Sequence, residues 1–465
     1  MSIDLRAEQT ELEPTPMDTE PVPAVAVAEA EERPRALPVA ESERLFAVDA
    51  LRGFALLGIL AMNIVHFAWP GVVYGNPLRG AGFEGTDRAL WFVNHLLFEG
   101  KMMTIFSMLF GAGLVLMDHR AAARGASIRG VYYRRVLWLL AIGMVHAYLI
   151  WSGDILVLYA ECGLFLYLFR NRSPRTLIVL GIAALLLFVP LLLGFAAGID
   201  YMKAATARVA AQQKAGETPR RFEKRMHDIW TEHLQKEFEP TPEQQAKEWD
   251  KAITVHRGGY LGIVKHRALP MLIGQIMELI FGVLFFAGGR MLIGMGLMKL
   301  GVFSASRSWR FYATMAALGY GIGLPLMVFD AFQSIDHQFS VMYELHGGML
   351  YNAFGSVIVA LGHVGALMMI VKSGAIAWLI RRLAAVGRMA LTNYLTHSIV
   401  CTALFYGYGF GLYATINRTG LAAIVLAIWT FQLIVSPIWL RHFRFGPAEW
   451  LWRSLTYWRL QPIRV

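Results

Sequence analysis

The sequence predicts an all-α fold, a polytopic membrane helix bundle of about ten transmembrane helices with both termini cytoplasmic. Three observations carry that reading. Of 465 residues, 56% are hydrophobic and only 16% charged, whereas an ordinary soluble domain is about a quarter charged. The apolar residues gather in runs, most of them long enough to cross a bilayer, which takes roughly 17–25 residues at about 1.5 Å each. Lysine and arginine then concentrate in alternate loops between those runs, as they do where charge fixes orientation in a membrane.

Taken in order, residues 1–43 set Glu8, Glu11, Glu13, Asp18, Glu20, Glu29, Glu31 and Glu32 among Pro and Ala. This is expected to be a disordered acidic cytoplasmic tail, because it cannot bury enough apolar surface to offset its ordering entropy. It lacks the basic-then-apolar order of a cleavable signal peptide, so the first spanning helix is expected to serve as the insertion signal. An N-terminal transmembrane region, 44–198, carries apolar runs at 50–69, 101–118, 134–150, 153–169 and 176–198. The runs at 134–150 and 153–169 are short and joined by Trp151-Ser152-Gly153, which predicts a tight helical hairpin. Residues 199–267 break the pattern with charges of both signs and a helix-like run from Arg220 to Lys251. They read as an extracytoplasmic charged helical insertion, since loops beyond about 60 residues escape the charge rule. Capping or gating of that face is one role for it; a ligand-free amphipathic hairpin on the surface fits as well. A C-terminal transmembrane region, 268–465, follows with runs at 269–289, 311–329, 350–371, 389–410 and 420–440.

The basic loops hold Arg120, Arg124, Arg129, Arg134 and Arg135; Arg170, Arg172 and Arg175; and Arg290, Lys299, Arg307 and Arg310. They continue with Lys372, Arg381, Arg382 and Arg388, and then with Arg441, Arg444, Arg453 and Arg459. The alternate loops hold little beyond Arg79, Arg88 and Arg418. The basic set is therefore expected in the cytoplasm, and an even helix count puts both termini there. Topology thus accounts for the net charge of +10, and no nucleic-acid partner is expected. Cys162 and Cys401 both lie in apolar runs, so neither a disulfide framework nor a cysteine metal site is expected. The scattered histidines make no metal site either.

Ionisable groups at membrane depth are costly and are functional candidates by default. Asn63 and His66 share a face of the first helix, three residues apart. His95 and Glu99 lie in a segment too short to span that leads into Lys101. His146 stands in the outer part of the third helix, Asp154 opens the fourth, and Glu161 follows. His346 and Asn352 approach from the outer end of the eighth, while Gln275, Glu278, His363 and the pair Asn393 and His397 lie deeper. Most of these share the outer half of the membrane, which predicts a polar cavity entered from outside. Each residue alone also has a plain structural reading. An intramembrane His is often a satisfied interhelical hydrogen-bonder, Glu278 an ion-pair partner, and Asn393 with Thr392 and Thr396 interhelical glue. The Gly319–Gly323 and Gly407–Gly411 stretches read as close helix contacts, and Trp450, Trp452, Tyr457 and Trp458 as an interfacial belt.

Several stretches resemble the YeiB-like family of bacterial membrane proteins. They are Asp49-Ala-Leu-Arg52-Gly53 running to Asn63, Lys101–Gly113, Gly153-Asp154-Ile-Leu, Val386-Gly-Arg388 running to Tyr394, and Phe443–Tyr457 with Gly446-Pro447-Ala448-Glu449-Trp450-Leu-Trp452-Arg453. The resemblance covers nearly everything after residue 44 apart from 199–267, and implies a multi-pass protein of the bacterial inner membrane. More distantly, the Asp-x-x-Arg-Gly opening with an Asn fourteen residues after the Asp is similar to the first helix of the heparan-α-glucosaminide N-acetyltransferase group. The Gly153-to-Tyr159 segment is loosely similar to a helix start there. That similarity implies movement of an acyl group from cytoplasmic acyl-CoA to a sugar across the membrane, using an Asn and a His. Asn63 matches the Asn; the spacing to the His differs, leaving His66 or His95 in its place.

Two function classes follow. As a transmembrane acyltransferase, the chain would use His95 or His66 as base, Asp154 or Glu99 to orient it, and Asn63 as oxyanion donor. Arg52 and Arg388 would hold the phosphates of an acyl-CoA donor. Lys101, His146, Glu278, His346, Asn393 and His397 would complete the substrate site, and the acceptor would be a sugar, lipid or other small molecule. As a transporter or exporter of a small polar or amphiphilic solute, the chain would instead rely on protonatable Glu278, Asp154 and His363. No internal repeat between the two halves supports transport. The lipid bilayer is the expected partner in either case, and a homodimer is left open.

Overall fold

The structure, a computed structural model, describes residues 45–465; the expected acidic tail at 1–43 lies outside the described residues. Among those residues the chain is helical, with one isolated extended bridge between Phe443 and Arg464. Helix α1 is Phe46–Ala68, α2 Gly85–Leu97 and α3 Lys101–Ala122. Helix α4, Arg129–Val145, widens into a π turn over His146–Ile150. Non-helical backbone then leads to α5, Leu156–Leu166, and α6, Pro174–Lys214. Helices α7, Arg221–Ile229, and α8, Pro242–His256, follow. Helix α9, Tyr260–Met277, passes through a π segment, Glu278–Gly288, into α10, Gly289–Lys299. The last six are α11 Trp309–Asp336, α12 Met349–Ser373, α13 Ala377–Arg388, α14 Ala390–Phe405, α15 Arg418–His442 and α16 Pro447–Tyr457.

Local chemistry sets these ends. Ser173 caps α6 ahead of Pro174, Ser308 caps α11 and Asn417 caps α15, each side-chain oxygen accepting from an otherwise orphaned N–H.

Among the described residues, seven helices are long and apolar enough to cross a membrane: Phe46–Ala68, Gly85–Ala122, Arg129–Ile150, Pro174–Lys214, Trp309–Asp336, Val341–Ser373 and Arg418–His442. The sequence led us to expect about ten. The run at 153–169 folds as a shorter apolar helix, Leu156–Phe169, because Trp151–Ile155 is spent on a loop. The run at 389–410 yields the 16 residues of α14; its glycines leave the helix, and Gly407 nests against the backbone of Arg257 and Gly258. The run at 269–289 belongs to a longer helical path from Tyr260 to Lys299 with the π segment in its middle.

Glycines bring helices into backbone contact at Gly319, one of the two stretches the sequence marked, and at unmarked places as well, whereas 407–411 lies beyond the end of α14 and makes no helix–helix contact. Gly319 of α11 lies against Gly362 of α12, where an added Cβ would meet that residue's Cα and N. Gly53 of α1 lies against the Leu383 carbonyl and Gly387 of α13, and Gly387 against the Asp49 carbonyl. This second crossing sets α13 on the first turns of α1 and so brings Arg52 and Arg388 to one end of the bundle. Leu45 and Arg453 line the same cavity, so the first described residue and α16 share that end, hereafter the basic side.

The expected insertion at 199–267 is helical. Helix α6 runs for 41 residues, about 60 Å, roughly twice a hydrocarbon core. Helix α8 folds back so that Trp249 meets Trp69 just past α1 (ring centroids 6.1 Å apart). His256 stacks on Tyr413 at 4.5 Å, and Arg257 donates to the Tyr413 carbonyl at 2.8 and 3.0 Å.

Candidate functional site

A cavity of about 240 Å³ runs into the bundle from the basic side. Its charged end holds Arg52 of α1, Arg120 of α3, Arg135 of α4, Arg388 of α13 and Arg453 of α16, with two carboxylates, Asp49 and Glu449. Arg52, Arg120, Arg135 and Arg388 stand towards one end of their helices and Arg453 in the middle of the short α16, so five separate elements deliver guanidinium groups to one place. Its walls are apolar and aromatic, including Phe106, Leu109, Phe110 and Leu139. Its inner end is closed by Ile59, Ile155, Tyr159 and Tyr394.

The charged end is tightly built. Arg52 pairs with Asp49 at 2.8 Å. The Arg135 guanidinium lies 3.9 Å from the Trp452 ring centre, and the Trp452 indole N–H donates to the Arg135 carbonyl at 2.9 Å. Arg453 lies over Phe445 at 4.4 Å; burial, then the positive charge of Arg135, lowers its pKa to about 10. Glu449 reaches across from α16 to the start of α14. It accepts from the Leu391 N–H at 2.6 Å, the Thr392 N–H at 3.1 Å and the Thr392 hydroxyl at 2.6 Å. A carboxylate there complements the positive end of the helix dipole. Burial nevertheless pushes its pKa above the usual range, opposed by the hydrogen bonds from Thr392 and Leu391.

Behind the inner end lies a relay of buried side chains. His146 Nδ1 meets Asp154 Oδ1 at 2.6 Å, and His146 Nε2 meets Ser398 Oγ at 2.8 Å. Asp154 is itself fixed, because its other oxygen accepts from the Val157 N–H at 2.7 Å and so caps α5. The π turn in α4 places His146 over this loop. Tyr394 separates the relay from the cavity. Its ring centre is 5.1 Å from that of His146, while its hydroxyl donates to the Gly153 carbonyl at 3.4 Å and accepts from the Ile155 N–H at 3.3 Å.

A second buried cluster surrounds His95. Nδ1 faces Glu99 at 3.1 Å and Nε2 faces Asp330 at 3.1 Å, and the ring stacks on Trp91 at 5.0 Å. Lys101, fully buried, donates to the His95 carbonyl at 2.6 Å. Sequence reasoning grouped His95, Glu99 and Lys101, and the structure brings those three together. Of the two carboxylates expected to orient His95 or His66, Glu99 lies on His95, whereas Asp154 is bound to His146, eight residues away across the loop.

The other nominated residues divide. Arg52 and Arg388 line the cavity. Asn63 is half-buried on α1, one turn beyond the cavity-lining Ile59 and on its face. His66 sits edge-on to Trp151 at 5.4 Å and near Tyr74 at 6.1 Å. Glu278 opens the π segment, half-buried. His346 is exposed and binds Asp200 at 2.7 Å. Asn393 and His397 are tied to α15: His397 Nε2 bonds Gln432 at 2.8 Å, and Asn393 donates to Ser436 at 3.1 Å and the Val386 carbonyl at 3.2 Å. That is the interhelical role their i,i+4 spacing also allowed. The cavity expected to open from outside has its charged end on the basic side, because the arginine-bearing helix ends converge there.

Ser398, Tyr394, Asp330, Glu449 and the arginines at 120, 135 and 453 were not singled out as site residues. For Tyr394, Glu449 and Arg453 a signal existed, since all three lie in the stretches that carried the family resemblance. Every one of those stretches contributes to the cavity lining: Asp49 and Arg52, Phe106 and Gly113, Ile155, Arg388 and Tyr394, and Glu449, Trp452 and Arg453. Ser398 and Asp330 carried no signal.

Comparisons with known proteins agree with that resemblance. A family model described as a protein of unknown function (DUF418) matches residues 297–459. The chain is 30% identical over 435 residues to "Uncharacterized protein YxaH" of Bacillus subtilis (strain 168), covering 92% of this chain and 97% of that one. It is also 30% identical over 424 residues to "Uncharacterized protein YeiB" of Escherichia coli (strain K12), covering 89% and 96%. No solved structure matches. With relatives of that identity aligned over nearly their whole length, the chain belongs to the YeiB-like family of DUF418-containing proteins.

Proposed function

We propose that this chain is a membrane-embedded acyltransferase that takes an acyl group from an acyl-CoA on its basic, cytoplasmic side and delivers it to a small-molecule acceptor. The observation that carries this reading is the polarity of one cavity. Five arginines stand at one end, apolar walls lead inward, and an imidazole–carboxylate pair waits behind Tyr394 at the other. Arginine suits the bidentate recognition of phosphate, and CoA carries a diphosphate and a 3′-phosphate. The cavity volume of about 240 Å³ is below that of most ligand pockets, roughly 300–1,000 Å³. It suits the acyl-pantetheine arm, with the nucleotide held outside by the arginines. The charge rule puts this face in the cytoplasm, where acyl-CoA is.

The chemistry needs a base for the acceptor's proton and a donor for the developing oxyanion. His146, oriented by Asp154, replaces His95 and His66 as the base that the geometry favours. Asn63 keeps the oxyanion role, one turn beyond the cavity end.

The test is calorimetric titration of the purified protein in detergent with acetyl-CoA, propionyl-CoA and longer acyl-CoAs. Binding that weakens about tenfold in Arg52→Gln and in Arg388→Gln is the expected result, each losing a charge-assisted hydrogen bond. No binding to any acyl-CoA, with proton-coupled uptake into proteoliposomes that vanishes on Glu278→Gln, would replace acyl transfer by transport.

A further inference from the structure

We propose that Ser398 is an acyl-accepting nucleophile, so that transfer passes through an ester on its Oγ rather than directly from donor to acceptor. This deepens the acyltransferase reading and rests on it.

The orientation of the hydroxyl is the first argument. Serine and threonine inside helices commonly bond back to the carbonyl four residues earlier, and this chain follows the habit. On α14 itself Thr396 donates to the Thr392 carbonyl and Thr402 to the Ser398 carbonyl, both at 2.8 Å. Ser398 departs from it and meets His146 Nε2 at 2.8 Å.

The second argument is what stands behind the imidazole. Asp154, on Nδ1, is pinned by the start of α5, so the ring is fixed with Nε2 towards the hydroxyl. A nucleophile, a base and an orienting carboxylate in hydrogen-bond series form the arrangement that activates a serine. Holding a carboxylate and an imidazole at membrane depth is costly where apolar packing would serve a structural purpose equally well.

The third is position. Tyr394 lies one turn before Ser398 on the same face of α14 and lines the cavity end. Both hydrogen bonds of its hydroxyl are long, 3.3 and 3.4 Å, so they hold the ring only weakly and its packing is the main restraint on swinging aside. Ser398 would then face the thioester.

The steps balance. As Ser398 Oγ bonds to the thioester carbonyl carbon, His146 Nε2 takes the hydroxyl proton. The tetrahedral adduct collapses with breakage of the C–S bond, and the departing sulfur takes the proton from Nε2 to leave as free CoA. In the second half the acceptor's hydroxyl or amine attacks the Ser398 ester. His146 takes the acceptor's proton and returns it to Ser398 Oγ.

The experiment uses the full chain in detergent, acetyl-CoA as donor, and hydroxylamine as surrogate acceptor. Without hydroxylamine, a burst of up to one CoA per chain is expected, with one acetyl group on the α14 peptide. Hydroxylamine should discharge it. Ser398→Ala should bind acetyl-CoA normally yet lose adduct and burst, with turnover down at least roughly 100-fold. Ser398→Cys should keep an adduct, now a thioester. Tyr394→Ala should release the burst faster. Turnover without any adduct, together with an undiminished rate in Ser398→Ala, would overturn the covalent route and leave direct acyl transfer standing. No acetyl-CoA binding and no CoA release by the wild-type chain would overturn the acyltransferase reading itself.

Discussion

His146 and His95 are both buried imidazoles with a carboxylate on Nδ1, and they differ in what faces Nε2. On His146 it is the Ser398 hydroxyl; on His95 it is a second carboxylate, Asp330. Their surroundings differ in the same sense. His146 is one ring away from a cavity with a basic end, whereas His95 is stacked on Trp91 and ringed by Lys101, Glu99 and the aromatic cluster around Phe339. An imidazole between a carboxylate and a hydroxyl has a proton to take. One between two carboxylates has no hydroxyl to act on and knots helices together. Shared residue types therefore do not make shared chemistry; the group on the second nitrogen decides.

The comparison is easiest to break with the two histidines themselves. His146→Gln should lower acyl-CoA turnover by roughly 10²–10⁴-fold while donor binding is kept, the usual reach of a general base. His95→Gln, measured in the same assay per folded molecule, should stay within about threefold, since it touches no reacting group. Equal losses in the two variants would erase the distinction. Next in size is Asp330→Asn. Removing one member of a buried charge cluster costs about 3–5 kcal/mol, read as a lower unfolding midpoint in detergent with the turnover of folded protein unchanged. Arg453→Gln sharpens the other side of the comparison: acyl-CoA affinity should fall about tenfold, and the difference from wild type should shrink in high salt. Arg381, exposed on α13 and absent from the cavity lining, should show no such change when made Gln. The smallest effect is expected for Asn393→Ala. Its amide donates to both Ser436 and the Val386 carbonyl. An interhelical hydrogen bond in a membrane protein is worth about 0.6 kcal/mol on average, so the loss should be about 1 kcal/mol, with no effect on turnover.

The apolar runs were legible one by one, and with them the approximate helix starts, because hydrophobicity and run length are local properties. What was not legible was how the glycines and polar residues at 151–155 and 407–411 would use up helix length. Glycine there answers to a neighbour, as Gly407 does to the backbone of Arg257 and Gly258. The site divides in the same way. Arg52 and Arg388 could be nominated from their place at helix ends, and Asn393 with His397 recognised as one face of one helix. Gln432, which converts that pair into a bond between α14 and α15, stands 35 residues further on.

By itself, then, the sequence determined that this chain is a membrane-type helix bundle of the YeiB-like kind, and which stretches carry its character. Hydrophobic length and charge asymmetry act segment by segment, and a resemblance needs only residues in order. The tertiary structure alone decided that those stretches meet around one cavity, that Asp154 serves His146 and not His95 or His66, and that Ser398, 252 residues from His146, completes the relay. Side chains that far apart in the chain meet only when helix crossings such as Gly53 on Gly387 are set, and a crossing angle is a property of two surfaces together.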